Sequence, residues 1–555
     1  MNAWQHVYPR PQLRRESFLS LCDAPWTLNS QPIRLPFPPQ SKASGYQGTI
    51  GDELRYETAF TLPEGFCPPE HRVLMHFGAV DQLASVTLNG HAITRHEGGY
   101  LPFSGDITEA LLPGENRLVV DAVDQLDRDL PYGKQSKKPG GMWYTPVSGI
   151  WQGVWLEAVP QDYIRQLRIT PDLTGIEITA DTPAKSCAAE IIFAGEVVAA
   201  AAWNPLSGPC RIDIPQAHRH LWSPDAPHLY DLVLHAGNDV VHSYFALRTV
   251  EIKADGRGVQ RVCLNGQPVF LNGVLDQGYF PDGIFLPEDP QEYERDILRM
   301  KELGFNLLRK HVKIEPEIFY HDCDRLGMLV MQDMVNNGPY SWLMDTALPT
   351  IGVKYTPHWP LSRRCKGYFE QQARGTVMHL YNHPCIIAYT IFNEGWGQFD
   401  SSRLYRLLRQ MDPTRFYDTA SGWFEPRETD VDSRHVYFRN KRLQPRKRPM
   451  LLSECGGYAR AIPGHLWKPE ANYGYGKTET ARQLTDAITA MYQQMVLPAI
   501  PNGLCGVIYT QLSDVEEEIN GLYTYDRQVC KVDKEGLRAI LLEAEDALRQ
   551  AVEKV

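Results

Sequence analysis

The sequence of 555 residues predicts a multidomain protein in which two β-sandwiches precede a C-terminal (β/α)8 barrel. Three observations support this fold class. The first 250 residues carry short alternating runs separated by turn signals, with no long helical period. After about residue 260, apolar runs of strand length alternate with segments of helical periodicity. At about 150 residues per domain, the length also suggests three or four domains.

The N-terminal region has the pattern of β-sandwiches. Runs such as Arg55 to Leu62 alternate between apolar and polar residues, as half-buried strands do. The tripeptide Leu88-Asn89-Gly90 is a turn signal, because Asn and Gly tolerate the left-handed backbone of tight hairpins. We therefore expect a first sandwich over 1–160, followed by a second over 161–250 that has the length of an immunoglobulin-like domain.

The C-terminal region, 251–555, has the rhythm of alternating strands and helices. Eight strands are predicted at Val269–Val274, Asn306–Arg309, Met328–Gln332, Ile386–Phe392, Phe416–Thr419, His435–Tyr437, Met450–Ser453 and Val507–Leu512. Eight strands with intervening helices in about 300 residues are typical of a (β/α)8 barrel. An open doubly wound sheet is the structural alternative, but no Gly-x-Gly-x-x-Gly motif follows a strand, which disfavours nucleotide binding.

Composition excludes several classes of protein. The net charge is −11, which argues against a nucleic-acid partner, because phosphate binding needs clustered Lys and Arg. The eleven cysteines include no Cys-x-x-Cys pair, which fits a reducing compartment and excludes a zinc ribbon. The first residues lack the pattern of a signal peptide, and no run of about 18 apolar residues exists to cross a membrane. We expect a cytoplasmic protein.

Two acids lie where a barrel carries its catalytic groups. Glu394 follows the apolar run of the fourth predicted strand, and Glu454 ends the seventh. Catalytic residues of such barrels lie at the carboxyl ends of strands, and strands three apart in a ring of eight face each other. Two facing carboxylates are the groups that hydrolyse glycosidic bonds. A single acid after a strand is often only a surface residue, but two at complementary strands favour the functional interpretation.

The neighbours of these acids form three motifs. Asn382-His383-Pro384 precedes the fourth strand, Asn393-Glu394-Gly395-Trp396-Gly397 ends it, and Ser453-Glu454-Cys455-Gly456-Gly457 ends the seventh. In this order and spacing, the motifs resemble glycoside hydrolase family 2, which contains β-galactosidases, β-glucuronidases and β-mannosidases. Trp143 to Gln152 looks like the end of the family's sugar-binding domain, and Leu221-Trp222-Ser223-Pro224 looks like its immunoglobulin-like domain. The resemblance implies a jelly-roll β-sandwich, an immunoglobulin-like β-sandwich and a catalytic TIM barrel.

The resemblance also implies roles for individual residues. Glu394 matches the general acid/base, and Glu454 matches the nucleophile. Asn393 matches the residue that hydrogen-bonds the sugar 2-hydroxyl, and Tyr437 matches the tyrosine that donates to the nucleophile. His311 and His383 match two histidines that line the sugar pocket in the family.

Other candidates rest on position alone. Asp276, Gln277 and Asp333 follow the first and third strands and so lie on the catalytic rim. Trp396 and Trp423 are candidates to stack on sugar faces, although a Trp in a barrel is more often packing. Tyr509 stands in the eighth strand, where the family often has a Trp. The acidic residues of 514–518 are expected to be mostly solvated, with one of them a candidate to touch the mouth of the active site. Trp342 is a third candidate to stack on a sugar face, and its role stays open.

The substrate is the least determined property. A terminal β-galactoside is the first choice, because β-galactosidase is the commonest activity of the family. The Asn-x-Lys motif of family glucuronidases has no match, although Arg309 and Lys310 are candidates to meet a uronic acid. No cofactor and no required metal are expected. The alternatives are another family activity, such as hydrolysis of a uronide or a mannoside, and a sugar-binding protein with an inactive barrel. A homo-oligomer is possible.

Overall fold

The computed structural model describes residues 3–351, 353, 360–437 and 442–553. Antiparallel sheets occupy the N-terminal part of the chain, and one eight-stranded parallel sheet occupies the C-terminal part. This arrangement confirms the predicted multidomain fold class. The boundaries at residues 160 and 250 stay predictions.

The first sandwich contains a four-stranded and a six-stranded antiparallel sheet, with a short two-stranded ribbon beside them. Its strands are Phe18–Ser20, Thr27–Leu28, Gln31–Pro32, Glu53–Thr61, Arg72–Phe77, Val80–Asp81, Leu83–Leu88, His91–Glu97, Phe103–Asp106, Glu115–Val123, Gly149–Ile150 and Val154–Val159. Leu54, Tyr56 and Phe60 alternate with more exposed residues along one strand and pack into the core of this sandwich. The predicted period of two therefore places their side chains on the buried face.

The second sandwich contains a three-stranded and a four-stranded antiparallel sheet around its own core. Its strands are Gln166–Pro171, Gly175–Asp181, Cys187–Phe193, Glu196–Trp203, Cys210–Asp213, Tyr230–Ala236 and Asp239–Phe245. A further three-stranded sheet, formed by Val250–Ala254, Gln260–Leu264 and Gln267–Pro268, leads into the barrel.

The barrel strands are numbered here in chain order. They are β1 (Leu271–Asp276), β2 (Leu307–Lys310), β3 (Leu329–Asp333), β4 (Ile386–Asn393), β5 (Phe416–Ser421), β6 (Asp432–Val436), β7 (Met450–Gly456) and β8 (Leu504–Thr510). Each ladder between neighbours is parallel, and the sheet runs from β5 through β4, β3, β2, β1, β8 and β7 to β6. The ring is therefore nearly closed, with β5 and β6 as its two edges.

Helices cover the outside of the barrel. They are α1 (Glu292–Leu303), α2 (Glu317–Leu326), α3 (Arg363–Leu380), α4 (Ser401–Met411), α5 (Ala481–Met491) and α6 (Lys534–Glu553). Gly304 caps α1 in the left-handed conformation (φ 100°), which a residue without a Cβ atom adopts readily. Thr480 and Gln483 form a capping box that begins α5. Within the described ranges, no helix is both long and apolar enough to cross a membrane.

Buried charge joins the two sandwiches. The guanidinium of Arg15 donates to Glu157 of the first sandwich (3.1 Å) and to both oxygens of Asp239 of the second (2.9 Å each). All three side chains are buried. Removing one partner would leave an uncompensated charge in a dry interface, so this cluster fixes the contact between the domains.

Candidate active site

Two carboxylates meet at the carboxyl end of the barrel. Glu394 directly follows β4 in a left-handed backbone conformation (φ 51°), and Glu454 lies in β7. Both side chains are buried. One oxygen of each carboxylate lies within 4.8 Å of the other, with a nitrogen of His435 in the same cluster. The structure thus brings together the two acids that the sequence placed on opposite strands.

The surroundings of Glu454 keep it ionised. Burial alone would raise the pKa of this carboxyl, but the nearby charges of His435 and Arg309 outweigh burial and lower the pKa to about 2. Oε1 accepts a hydrogen bond from Arg309 Nη1 (3.0 Å), and Oε2 accepts one from the Tyr437 hydroxyl. Glu454 is therefore a carboxylate at neutral pH.

Tyr437 is the proton donor in its contact with Glu454. Burial, together with the charge of Glu454, raises the pKa of this hydroxyl well above its ordinary value. The phenol stays protonated and holds one carboxylate oxygen in place. This contact agrees with the role that the sequence resemblance implies for Tyr437.

His435 links the two acids. Its Nδ1 atom lies 2.7 Å from Glu394 Oε1, and its Nε2 atom lies 3.6 Å from Glu454 Oε1. His435 is not among the residues predicted from the sequence. A signal for it exists, since His435 stands two positions before Tyr437 and alternation along an extended chain points both side chains to one side.

Arg309 on β2 forms the floor of the site. It donates to Asp333 Oδ1 (3.0 Å), to the Ser453 carbonyl (2.8 Å) and to Glu454. Its remaining donor binds the Asn393 and Ser421 side chains. Every branch of this buried guanidinium is occupied, so Arg309 positions the carboxylate and does not extend into the pocket.

Asn393 has a fixed orientation. Its Oδ1 atom accepts hydrogen bonds from Arg309 Nη2 (2.9 Å) and Ser421 Oγ (2.7 Å). Its amide nitrogen then points away from these donors and is free to donate to a ligand. That geometry suits the hydrogen bond to a sugar hydroxyl that the resemblance implies.

His311 and Asp333 form a second polar pair on the rim. His311 Nδ1 lies 2.7 Å from Asp333 Oδ2. Burial and the positive charge of Lys134 lower the pKa of His311 to about 4, so the ring is neutral at pH 7. A neutral ring that donates through Nδ1 presents Nε2 as an acceptor.

Aromatic rings form one wall of the site. Trp396 lies 5.6 Å from Trp143 and 5.2 Å from Tyr340, measured between ring centroids. Trp143 belongs to the first sandwich, so this wall is built from two domains. On the other side, Trp423 meets the ring of His435 edge to face at 5.4 Å. Trp396 and Trp423 are among the residues predicted from the sequence to stack on a sugar, whereas Trp143 is not.

His383 does not reach this site. It precedes β4 and therefore lies at the amino end of the barrel, where its Nδ1 atom is 2.7 Å from Asp324 Oδ2. Tyr244 of the second sandwich donates to the same carboxylate oxygen. The expectation that His383 lines the sugar pocket does not hold, because the residues before a barrel strand lie at the opposite end from those after it.

Three other predicted residues have no described contact with the acid pair. Asp276 accepts a hydrogen bond from Lys310 Nζ (2.6 Å), and Gln277 is buried with its Nε2 atom unpartnered among the described residues. Tyr509 is buried beside Gly456 and Cys455 in the wall between β7 and β8. Asp276 and Gln277 lie at the rim, whereas Tyr509 is part of the packing.

The acidic run after β8 is not solvated, contrary to expectation. Asp514, Glu516 and Glu518 are all buried. Glu516 accepts a hydrogen bond from the Thr145 amide (2.9 Å), and Glu518 accepts one from the Tyr144 hydroxyl. These acids fasten a loop of the first sandwich to the barrel mouth. Their partners are remote in sequence, so local composition could not reveal them. Trp342 is 64% exposed.

In the part of the chain that the structure describes, one group of side chains has the spacing to share a metal ion: Glu394, His435 and Glu454. The contacts of these residues with each other and with Arg309 and Tyr437 already account for their positions. The expectation that no metal is required stays a prediction.

The fold and the site define a class, the multidomain (β/α)8-barrel proteins with two facing carboxylates at the ends of β4 and β7. Residues 36–152 match the sequence model of the glycosyl hydrolase 2 galactose-binding domain-like family. Residues 258–495 match that of the TIM barrel domain of glycosyl hydrolases family 2. The two matches together cover more than half of the sequence, and the chain belongs to glycoside hydrolase family 2.

Curated relatives share this assignment at low identity. A β-galactosidase of Thermoanaerobacter pseudethanolicus is 27% identical over 369 residues, which are 62% of this chain and 45% of that protein. A β-galactosidase of Klebsiella pneumoniae is 26% identical over 535 residues, covering 83% of this chain and 47% of that protein. The chain spans about half the length of these curated relatives.

Solved structures share the fold over nearly the whole chain. A β-D-glucuronidase of Dictyoglomus thermophilum matches with a TM-score of 0.77 and 17% identity, covering 97% of this chain and 98% of that one. A β-galacturonidase of Eisenbergiella tayi matches with a TM-score of 0.70 and 18% identity, again covering 97% and 98%. At these identities the likeness supports the fold alone.

Proposed function

We propose that the protein is a retaining exo-β-glycosidase, which hydrolyses terminal β-linked sugars through a covalent glycosyl-enzyme. The observation that carries this proposal is the approach of the two carboxylates within 4.8 Å. Retaining enzymes hold their acids about 5–5.5 Å apart, whereas inverting enzymes need about 6.5–9.5 Å to admit a water molecule between acid and sugar. The short distance supports direct attack by one carboxylate.

The surroundings of the two acids support a distinct role for each. Glu454, with its lowered pKa, attacks the anomeric carbon while Glu394 gives its proton to the leaving oxygen. The glycosyl-Glu454 ester is then hydrolysed by water, from which Glu394 takes the proton. Asn393 donates to the 2-hydroxyl, Arg309 balances the charge of Glu454, and the neutral Tyr437 hydroxyl donates a hydrogen bond to it. The resemblance to the family supports the same assignment.

Two sugars are candidates. The names of the curated relatives support a β-galactoside, the substrate preferred from the sequence. A β-linked uronide is the second candidate, favoured by the buried Lys134 at the mouth of the site, which has no acidic partner among the described residues. Oligomerisation remains a prediction.

Variants of the two acids test the mechanism on a panel of 4-nitrophenyl β-glycosides. Glu454→Gln should abolish hydrolysis, because an amide cannot form the ester. Glu394→Ala should still form the glycosyl-enzyme from these activated substrates but should hydrolyse it slowly, and added azide should restore turnover as the β-glycosyl azide. A 2-deoxy-2-fluoro glycoside should label Glu454, which mass spectrometry of the peptides detects.

Glu425→Gln is the matched control, since this acid is partly exposed and pairs with Arg434 (2.7 Å) outside the acid cluster. It should keep wild-type turnover. Full activity of Glu454→Gln would overturn the mechanism. Sugar binding without any turnover over the panel would favour the sugar-binding alternative.

A further inference from the structure

Among the described residues, no acid pairs with Lys134, a cation at the mouth of the site. It comes from the first sandwich and is only 7% exposed. Its Nζ atom lies 5.9 Å from the ring centre of Trp396 and 5.6 Å from that of Tyr144. Its charge also acts on His311, as the lowered pKa of that residue shows. Among the described residues, Nζ has no carboxylate within 4.0 Å and donates no hydrogen bond.

The other buried cations near the barrel mouth are engaged. Arg309 binds Asp333 and Glu454, and Lys310 Nζ binds Asp276 (2.6 Å) and Glu315 (2.9 Å). Three further buried cations form ion pairs: Lys313 with Glu315, Arg527 with Asp296, and Lys531 with Asp514. Arg309 and Lys310, the two cations that the sequence suggested for binding a uronic acid, are therefore both paired with acids of the protein. Among the described residues, Lys134 has no such acidic partner.

The acids that contact the neighbouring Tyr144 and His311 are also engaged. Glu518 accepts from Tyr144 through one oxygen and from Asn520 through the other (2.9 Å). The two oxygens of Asp333 bind Arg309 and His311. A buried ammonium without a counter-charge is costly, so this position favours a ligand that brings an anionic group.

Lys134 is also held firmly. The next residue, Gln135, donates to Asp81 (2.9 Å) and accepts from the Val147 amide (2.7 Å). The carbonyl of Lys134 accepts from the Tyr144 amide (3.0 Å). A rigid backbone aims the side chain at the mouth and lowers the entropy lost when a ligand binds.

We propose that Lys134 binds the carboxylate of an acidic sugar, so that the preferred substrate is a β-linked uronide. This inference rests on the proposed glycosidase function and adds the substrate class and the residue that selects it. The ammonium and the uronate carboxylate form a charge-assisted hydrogen bond in a site walled by Trp396 and Tyr144. A neutral hexoside offers only a hydroxymethyl group there and leaves the charge uncompensated.

The test compares matched 4-nitrophenyl substrates that differ only at carbon 6: β-D-glucuronide with β-D-glucoside, and β-D-galacturonide with β-D-galactoside. One uronide should exceed its neutral partner in kcat/KM by about 100-fold or more in the wild type. Lys134→Met should lower that ratio by about 100-fold, mainly through the uronide. Lys138→Met, an exposed lysine of the same loop, should leave the ratio unchanged.

Binding to Glu454→Gln tests the inference without turnover. Free glucuronate and galacturonate should raise its melting temperature more than glucose and galactose do, and Lys134→Met added to this variant should remove the difference. A wild type that prefers the neutral substrates, or a preference for uronides that survives Lys134→Met, overturns the assignment of Lys134. The proposed function stands in that case as long as Glu454→Gln is inactive, whereas an active Glu454→Gln overturns the proposed function itself.

Discussion

At the residue scale, the nucleophile of the proposed mechanism is shaped by its hydrogen-bond donors. Glu454 is buried, and burial on its own would favour the protonated, unreactive form. Arg309, His435 and Tyr437 reverse this preference. Ionisation of the acid is thus maintained by residues from two other segments of the chain, β2 and the end of β6.

Tyr437→Phe is expected to raise the pKa of Glu454 and so to move the acid limb of the kcat/KM profile upward. Glu454 acts when ionised, so the rate falls as pH drops through its pKa, which is about 2 in the intact site. Loss of one donor should move the limb by about one pH unit. Rates on an aryl glycoside measured from acid to neutral pH check this.

Tyr405→Phe is the matched control, because its hydroxyl also donates to an acid, Asp430 (2.7 Å), but on α4. This variant should keep the wild-type profile. An unchanged limb in Tyr437→Phe would contradict the role of the hydroxyl.

Site residues were predictable from the sequence where their position relative to a strand determines at which end of the barrel they lie. Glu394 and Glu454 follow or end apolar runs, and such residues lie at one end of a barrel. His383 was misplaced because its motif precedes a strand and lies at the other end. Lys134 has no local signal, because its importance depends on Trp396 and His311, which are remote in sequence.

At the element scale, β5 carries a buried acid beneath the site. Asp418 is almost inaccessible, and burial raises its pKa to about 6. Because the folded pKa exceeds the ordinary one, the protonated form stabilises the fold at low pH. That contribution is complete below about pH 4 and is lost as pH rises through 6.

Asp418→Asn should therefore gain stability relative to the wild type as pH rises from 5 to 8, by on the order of 2 kcal/mol. The amide keeps the shape of the acid and cannot ionise. Urea unfolding at the two pH values measures the difference. Asp486→Asn on the exposed face of α5 should show no such pH dependence. An Asn variant with the wild-type pH dependence would contradict the prediction.

Element types were more predictable than element ends. All eight barrel strands overlap their predicted runs, because strong apolar patterning marks buried parallel strands. Helical periodicity predicts one helix over 479–496, but this stretch contains α5 and a π-helical turn at Tyr492–Val496, and a 3-10 segment at Leu497–Asn502 follows it. Helical periodicity does not distinguish these variants, since they differ by small changes in hydrogen bonding.

At the scale of the whole molecule, Arg15 joins domains that the sequence shows only as consecutive. Arg15→Met should cost about 3–5 kcal/mol, because it leaves Glu157 and Asp239 buried without their partner. Urea unfolding followed by intrinsic fluorescence measures this loss.

Arg211→Met removes an exposed pair with Asp172 (2.7 Å) and should cost about 1 kcal/mol or less. Equal losses of unfolding free energy in the two variants would show that the buried interdomain cluster stabilises the protein no more than an exposed ion pair does. The order of the three domains was predictable from sequence, but this docking contact was not, because Arg15 lies more than 140 positions from each of its partners.

The loop that crosses from the first sandwich to the barrel mouth has a consequence for how the molecule matures. Trp143 and Lys134 are synthesised early, whereas Glu394 and Glu454 emerge much later. The pocket forms only after the first sandwich and the barrel have folded and packed against each other. We therefore expect a truncated or partly unfolded chain to lack catalytic activity, so that activity reports whether the first sandwich and the barrel are both folded.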